Sequence, residues 1–154
     1  MRVLFDTNVV SYWAGGIKAF EDELSHLLLE LDASKASLYV SAITVQELGV
    51  YSAVHANLEK TRNFIQDNFT VLEFTEACAL EAVRIGSTIS FPKKGGKSER
   101  EEAKMQWHRD IAILGSASHH GMQMLVTANF DDFRSYQNEV SLTIRRLRET
   151  VRNV

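Results

Sequence analysis

Four acidic side chains, Asp6, Glu47, Asp110 and Asp132, occur beside apolar residues, where an ion is costly to keep. Asp6 directly follows the apolar run Val3-Leu4-Phe5, and Asp132 falls in ANFDDF, just after the run MLVT. Glu47 lies in SAITVQEL and shares a helical face with Val50 and Tyr51, three and four residues on. Asp110, in RDIAILGSA, shares a face with Ile113, Leu114 and Ala117. Two carboxylates about 4 Å apart repel by about 4 kcal/mol at an effective dielectric of 20, so a cluster of them persists only with protons or cations. Oxygen donors without cysteine or histidine select hard divalent ions, Mg²⁺ or Mn²⁺, over zinc. Such an ion, held between carboxylates and a phosphodiester, activates water and neutralises phosphate charge. Metal-assisted phosphodiester hydrolysis is therefore the chemistry these residues could perform together.

Taken singly, the acids have plainer explanations. Thr44-Val-Gln-Glu47 reads as a capping box, in which glutamate bonds back to the cap residue. Asp110 could be an acid near a helix start, although the charged stretch SEREEAK upstream argues that the helix begins well before it. ANFDDF reads equally as an Asx-rich turn. The histidines do not compete as ligands: His119 and His120 are adjacent and point apart on a helix, and His26 and His55 lack acidic company.

The elements that must position these groups follow from periodicity. Four short β-rich runs stand out, at 2–5, 38–43, 70–74 and 124–127. Helical patterns fill 17–33, 44–56, 58–67 and 76–89, and a further helix runs through WHRDIAILGSASHH to close at Gly121. Near-continuous apolar strands alternating with helices imply a parallel sheet covered on both faces, a three-layer α/β/α sandwich. In such sheets the ligand crevice lies beyond the carboxyl ends of the strands, where Asp6 stands.

At 154 residues the chain suits one domain with a real core, here 1–154, with a charged insertion or flap at about 92–104 opened by Pro92 and PKKGGK. A 45% hydrophobic and 24% charged composition argues against wholesale disorder. The single Cys78, in ACALEAV, excludes an internal disulfide framework and reads as core. No apolar stretch reaches the roughly 18–20 residues that span a bilayer, so a cytoplasmic location and no membrane partner are expected. With a net charge of −3, any polyanion must be met by a local basic surface or by bound cations.

FDTNVV at the N-terminus, SAITVQEL around Glu47, RDIAILGSA around Asp110 and LVTANFDDF near the end together resemble the successive motifs of PIN-domain ribonucleases, in particular VapC-like toxins of type II toxin–antitoxin pairs. The resemblance runs from residue 3 to about 135, with the motifs in the family's order. It implies a PIN-like α/β/α sandwich, Mg²⁺- or Mn²⁺-dependent cleavage of RNA, a homodimer, and a cognate antitoxin protein as partner. Asp6, Glu47 and Asp110 match the family's three best-defined acids and Asp132 the fourth, as catalytic and metal-binding residues, with Thr7, Asn8, Thr127 and Asn129 as supporting polar neighbours. In some members the fourth acid stands two residues after the threonine, a position held here by Asn129, so Asp132, Asp131 and Asn129 are alternatives for completing the site.

Candidates for RNA phosphate contact are Lys93, Lys94, Lys97, Arg109 and Arg134, and the basic tail with Arg145, Arg146, Arg148 and Arg152. Residues 9–20, including Val10, Tyr12, Trp13 and Ile17, are the expected exposed apolar positions for partner contact. The alternative function is a catalytically inactive PIN-like module that binds RNA or protein. Phosphatase chemistry with a DxD nucleophile is disfavoured because Asn8 stands where the second aspartate is needed.

Overall fold

The structure is a computed structural model that describes residues 1–55, 57–89 and 95–150; Pro92, Lys93, Lys94 and Arg152 lie outside the described residues. Its elements in chain order are β1 (Arg2–Phe5), α1 (Thr7–Gly15), α2 (Lys18–Ala33), β2 (Ser37–Ser41), α3 (Ala42–Val54), α4 (Leu58–Asn68), β3 (Thr70–Leu72), α5 (Glu76–Gly86), α6 (Lys97–His119), β4 (Met124–Thr127), α7 (Phe130–Arg134) and β5 (Thr143–Arg146). The sheet has five strands in the order β3-β2-β1-β4-β5, and every pairing is parallel. Phe5 of β1 is in register with Val40 of β2 on one side and Val126 of β4 on the other, so Asp6 follows the central strand.

Side chains on a strand alternate between faces, and β1 divides its apolar residues accordingly. Val3 and Phe5 pack with Val9, Val10, Leu24 and Leu27, on the face covered by α1 and α2. Leu4 packs with Ile113, Leu114, Leu125 and Phe133, on the face covered by α6 and α7. All three β1 side chains are fully buried, which is worth about 1.5–3 kcal/mol each. The expected three-layer α/β/α sandwich is the observed architecture.

Helix α6 is fixed by a close approach to α5. A Cβ at Gly115 would stand 2.6 Å from the Cys78 carbonyl oxygen and 2.7 Å from the Ala82 nitrogen. Only a glycine admits the α5 backbone at that distance, and the position of the helix that carries Asp110 follows from it. Residues 97–104 of the charged segment form the first turns of α6.

Three local expectations are corrected. The basic tail contains a fifth strand, β5, whose Ile144 is buried while Thr143 and Arg146 are exposed. The second strand ends at Ser41, because the Ser41 hydroxyl accepts the Ile43 N–H at 3.1 Å and starts α3 there. Residues 7–15 form a helix whose inner face is core: Val10 is fully buried, and Trp13 meets Phe5, Phe64 and Phe69 edge-on at centroid distances of 6.2, 5.3 and 5.4 Å. Of the four apolar positions expected to face a partner, Ile17 alone is exposed, at 44%, and Tyr12 is half-buried. Gly16 ends α1 in the left-handed region at φ +60°. No helix among the described residues is long and apolar enough to cross a membrane.

Candidate active site

Asp6 is held in place from both sides. Its N–H donates to the Val126 carbonyl at 2.9 Å, extending the β1–β4 ladder by one bond. Its carboxylate then caps α1: Oδ1 accepts the Thr7 N–H at 2.7 Å, and Oδ2 accepts the Thr127 hydroxyl at 2.9 Å. Thr127, the last residue of β4, is itself fully buried. An acid therefore follows the apolar strand because it completes a helix cap and meets a hydroxyl from the neighbouring strand.

Glu47 comes from the second turn of α3. Since Ser41 is the cap residue of that helix, the capping-box reading of Thr44 and Glu47 is corrected. The Thr7 hydroxyl donates to Glu47 Oε2, and the Thr44 hydroxyl, 3.0 Å from Thr7 Oγ1, supplies the next hydrogen in the chain. Glu47 Oε1 accepts from Arg109 Nη1 at 3.0 Å, an ion pair between α3 and α6.

Asp110 lies deep in the 23-residue helix α6, so the macrodipole explanation for it does not apply. One turn earlier, Gln106 donates its Nε2 to Asp110 Oδ1 at 2.7 Å. Asp6, Thr7, Asn8, Glu47, Gln106, Arg109 and Asp110 are brought together on the wall of one crevice of about 210 Å³.

The fourth acid is placed differently. Asp132, on the short helix α7, is exposed and does not line this crevice, although its charge reaches Asp6 and Asp110. Asp131 is also exposed and stands 3.8 Å from Arg134, which it partly neutralises. Asn129 donates its backbone N–H to Thr127 Oγ1 at 3.0 Å and so steadies the residue that holds Asp6. Among the basic candidates, Arg145 is committed to Glu30 through two bonds of 2.7 and 2.9 Å. Lys97 begins α6, thirteen residues before Asp110 and so about 20 Å away along the helix. Sequence reasoning passed over Gln106 and the Thr44–Thr7 bond; the signal was their spacing, one helical turn before Asp110 and Glu47 respectively.

Burial is the main electrostatic fact of the crevice. It pushes Asp6 up to about 6, against the hydrogen bonds from Thr127 and Thr7, with Glu47 and Asp132 adding repulsion. Asp110 is pushed up to about 8, first by burial and next by the charge of Asp6, with Gln106 opposing. At neutral pH the crevice thus retains a proton on Asp110, and its lining cation, Arg109, is paired with Glu47.

Among the described residues no three His, Cys, Asp or Glu side chains stand together as a ready metal cage. The donor set nonetheless fits a hard divalent ion. Mg²⁺ commonly takes one or two carboxylates and keeps several waters, and Asp6 and Asp110 are two buried carboxylates that repel one another. Asp6 and Asp110 would hold the ion, with Glu47 available once it leaves Arg109.

Comparison with known proteins gives a fold likeness alone. No protein-family model and no curated protein matches the chain. Among solved structures, it is similar to a chain of VapBC2 from Rickettsia felis bound to a promoter DNA fragment, at 18% identity and a TM-score of 0.63, covering 95% of this chain and 98% of that one. A toxin–antitoxin complex from Klebsiella pneumoniae gives 22% identity and 0.63, covering 96% and 99%, and DNA-bound VapBC from Salmonella typhimurium gives 16% and 0.63, covering 96% and 98%. The resemblance read from the four motifs is therefore matched in three dimensions over nearly the whole chain, and the protein has the PIN-like fold of these VapBC structures.

Proposed function

We propose that this protein is a metal-dependent endoribonuclease and the toxin of a toxin–antitoxin pair, acting in the cytoplasm. The observation that carries the reading is the convergence of Asp6, from the end of the central strand, and Asp110, from the middle of α6, in one crevice where burial, and for Asp110 the charge of Asp6, make an added cation favourable. When bound, Mg²⁺ or Mn²⁺ supplies charge neutralisation and a nucleophilic water for hydrolysis of the phosphodiester. Asp6 and Asp110 hold the ion; Thr127, Thr7 and Gln106 fix the orientation of those carboxylates through the bonds described above. Glu47 is aimed into the same space by Thr7 and is available as a further ligand or as an acceptor for a water proton. Asp132, exposed at the edge, adds negative potential that draws a cation inward.

The toxin role is supported by the solved structures of similar fold, which are toxin–antitoxin complexes, and a cognate antitoxin and a homodimer belong to the same proposal. The test is RNA cleavage by wild type and Asp6→Asn with Mg²⁺ or Mn²⁺. Wild type should cut and the variant should not; equal trace activity in both sinks the nuclease. Co-purification from the native host tests the partner, and recovery of a free chain harmless to growth counts against the toxin.

The Arg109–Glu47 ion pair favours a second reading, a PIN-like module that binds RNA or protein without cutting, because it neutralises one acid internally. Calorimetric titration with Mn²⁺ separates the two: no binding at millimolar concentration favours the inactive module.

A further inference from the structure

A second cavity lies beside the acidic crevice. It has a volume of about 470 Å³, and its walls include Tyr12, Asn129, Arg146, Arg148 and Glu149. Helix α1 connects the two spaces, since Asn8 and Ser11 line the crevice and Tyr12, one turn after Asn8, lines the cavity. A chain of hydrogen bonds connects them at the sheet: Asp6 accepts from Thr127 at 2.9 Å, and Thr127 accepts from Asn129 at 3.0 Å. Arg146 is in register with that same Thr127 on the neighbouring strand, about 4.8 Å away.

The charges of the cavity are distributed unevenly. Among the described residues neither the Arg146 nor the Arg148 guanidinium is paired with a carboxylate, and both residues are exposed. Glu149 offsets one of them, so the lining carries a net positive charge in a protein whose overall charge is −3. Their neighbour Arg145 is bound to Glu30 of α2 and is not in the lining. Tyr12 stacks on Phe20 at 4.3 Å with 9° between the rings, which presents a rigid aromatic surface at the same wall. Unpaired guanidinium groups next to an aromatic platform are the ordinary means of holding a single nucleic-acid strand.

We propose that this cavity is a subsite for the nucleotide flanking the cleaved bond, with Arg146 and Arg148 binding strand phosphates and Tyr12 with Asn129 receiving the base. The subsite rests on the nuclease reading and deepens it by giving the RNA a direction, from the acidic crevice across Asn129 towards β5. A cluster of buried acids repels a polyanion, so affinity for the strand has to come from a neighbouring basic wall, and this cavity supplies one at the end of the strand next to Thr127.

The test is binding of a labelled random-sequence single-stranded RNA of about 12 nucleotides to the full chain. It is carried out in the Asp110→Asn background, so that no strand is cut. Replacing Arg146 and Arg148 together by Ala should weaken binding about tenfold and reduce the slope of log affinity against log salt by about 1.4, the value for two phosphates on a single strand. Arg145→Ala, on the guanidinium held by Glu30, should leave both quantities unchanged. Far-ultraviolet circular dichroism identical to that of the parent shows that the exposed arginines were not needed for folding. Unchanged affinity and slope in the double variant, or an equal loss with Arg145→Ala, overturns the subsite and leaves the nuclease reading standing. Loss of duplex DNA binding with RNA binding intact also overturns it. If wild type cuts no RNA with Mn²⁺ present, the nuclease reading fails and the subsite falls with it, whereas an Asp110→Asn parent that binds no RNA while wild type cuts it overturns the subsite alone.

Discussion

Asp110→Asn should stabilise the metal-free protein at neutral pH. Asp110 holds its proton up to about 8 in the folded chain, against 3.8 for the free side chain, so the folded state binds more protons than the unfolded one between those values. Stability therefore falls as pH rises through that window. At pH 7 the linkage amounts to about 4 kcal/mol for Asp110. Asparagine removes the ionisable group, keeps the shape, and retains an oxygen to accept from Gln106. It also does away with the cost of ionising this position beside Asp6, whose charge is the second cause of the raised Asp110 value. Urea unfolding at pH 7 in EDTA should show the variant more stable by about 2–4 kcal/mol, and at pH 3.5 the difference should vanish because both states are protonated there. Mn²⁺ at 100 times its dissociation constant should stabilise wild type by about 2.7 kcal/mol and the variant far less. A variant that is no more stable at pH 7, or equally stabilised at pH 3.5, would refute the claim that burial and mutual repulsion govern this crevice.

Other perturbations have equally definite outcomes. Arg109→Gln frees Glu47 Oε1 from its ion pair, so calorimetry should find Mn²⁺ bound about tenfold more tightly than in wild type, a gain that disappears when Glu47→Gln is added. Thr127→Val removes the hydroxyl that Asp6 Oδ2 accepts, which should cost about 1–2 kcal/mol in urea unfolding and raise the pH at which RNA cleavage begins. Gly115→Ala forces a methyl to within 2.6 Å of the Cys78 carbonyl oxygen; α5 and α6 must separate, and thermal unfolding should show a loss of at least about 1–3 kcal/mol together with reduced cleavage.

Much of this architecture was legible in the sequence. β1 and β4 read as uninterrupted apolar runs because both of their faces are buried, and that same burial makes the polar residue after each strand conspicuous. The direction of a parallel sheet then places Asp6 and Thr127 at the carboxyl edge without any further information. Asp110 was recognisable because a helix shows its inner face in periods of three and four, and Asp110 falls on that face. Strand β5 was hidden by Arg145 and Arg146: an edge strand has one partner, so it tolerates charges that a central strand does not. Helix α1 was hidden by its short length and by an unpatterned start, Thr-Asn-Val-Val, whose helicity depends on the Asp6 cap and on burial of Val9 and Val10.

The sequence by itself thus determined a parallel three-layer fold and which acids stand where its strands and inner helix faces meet. Tertiary structure alone decided how those acids are used: Asp6 with Thr127, Glu47 with Arg109, and Asp132 out at the exposed edge. The reason is one of range. Periodicity is set by neighbours within a turn or a strand, whereas Thr127 is 121 residues from Asp6 and Arg109 is 62 from Glu47, and only the packing of the whole chain selects those pairs.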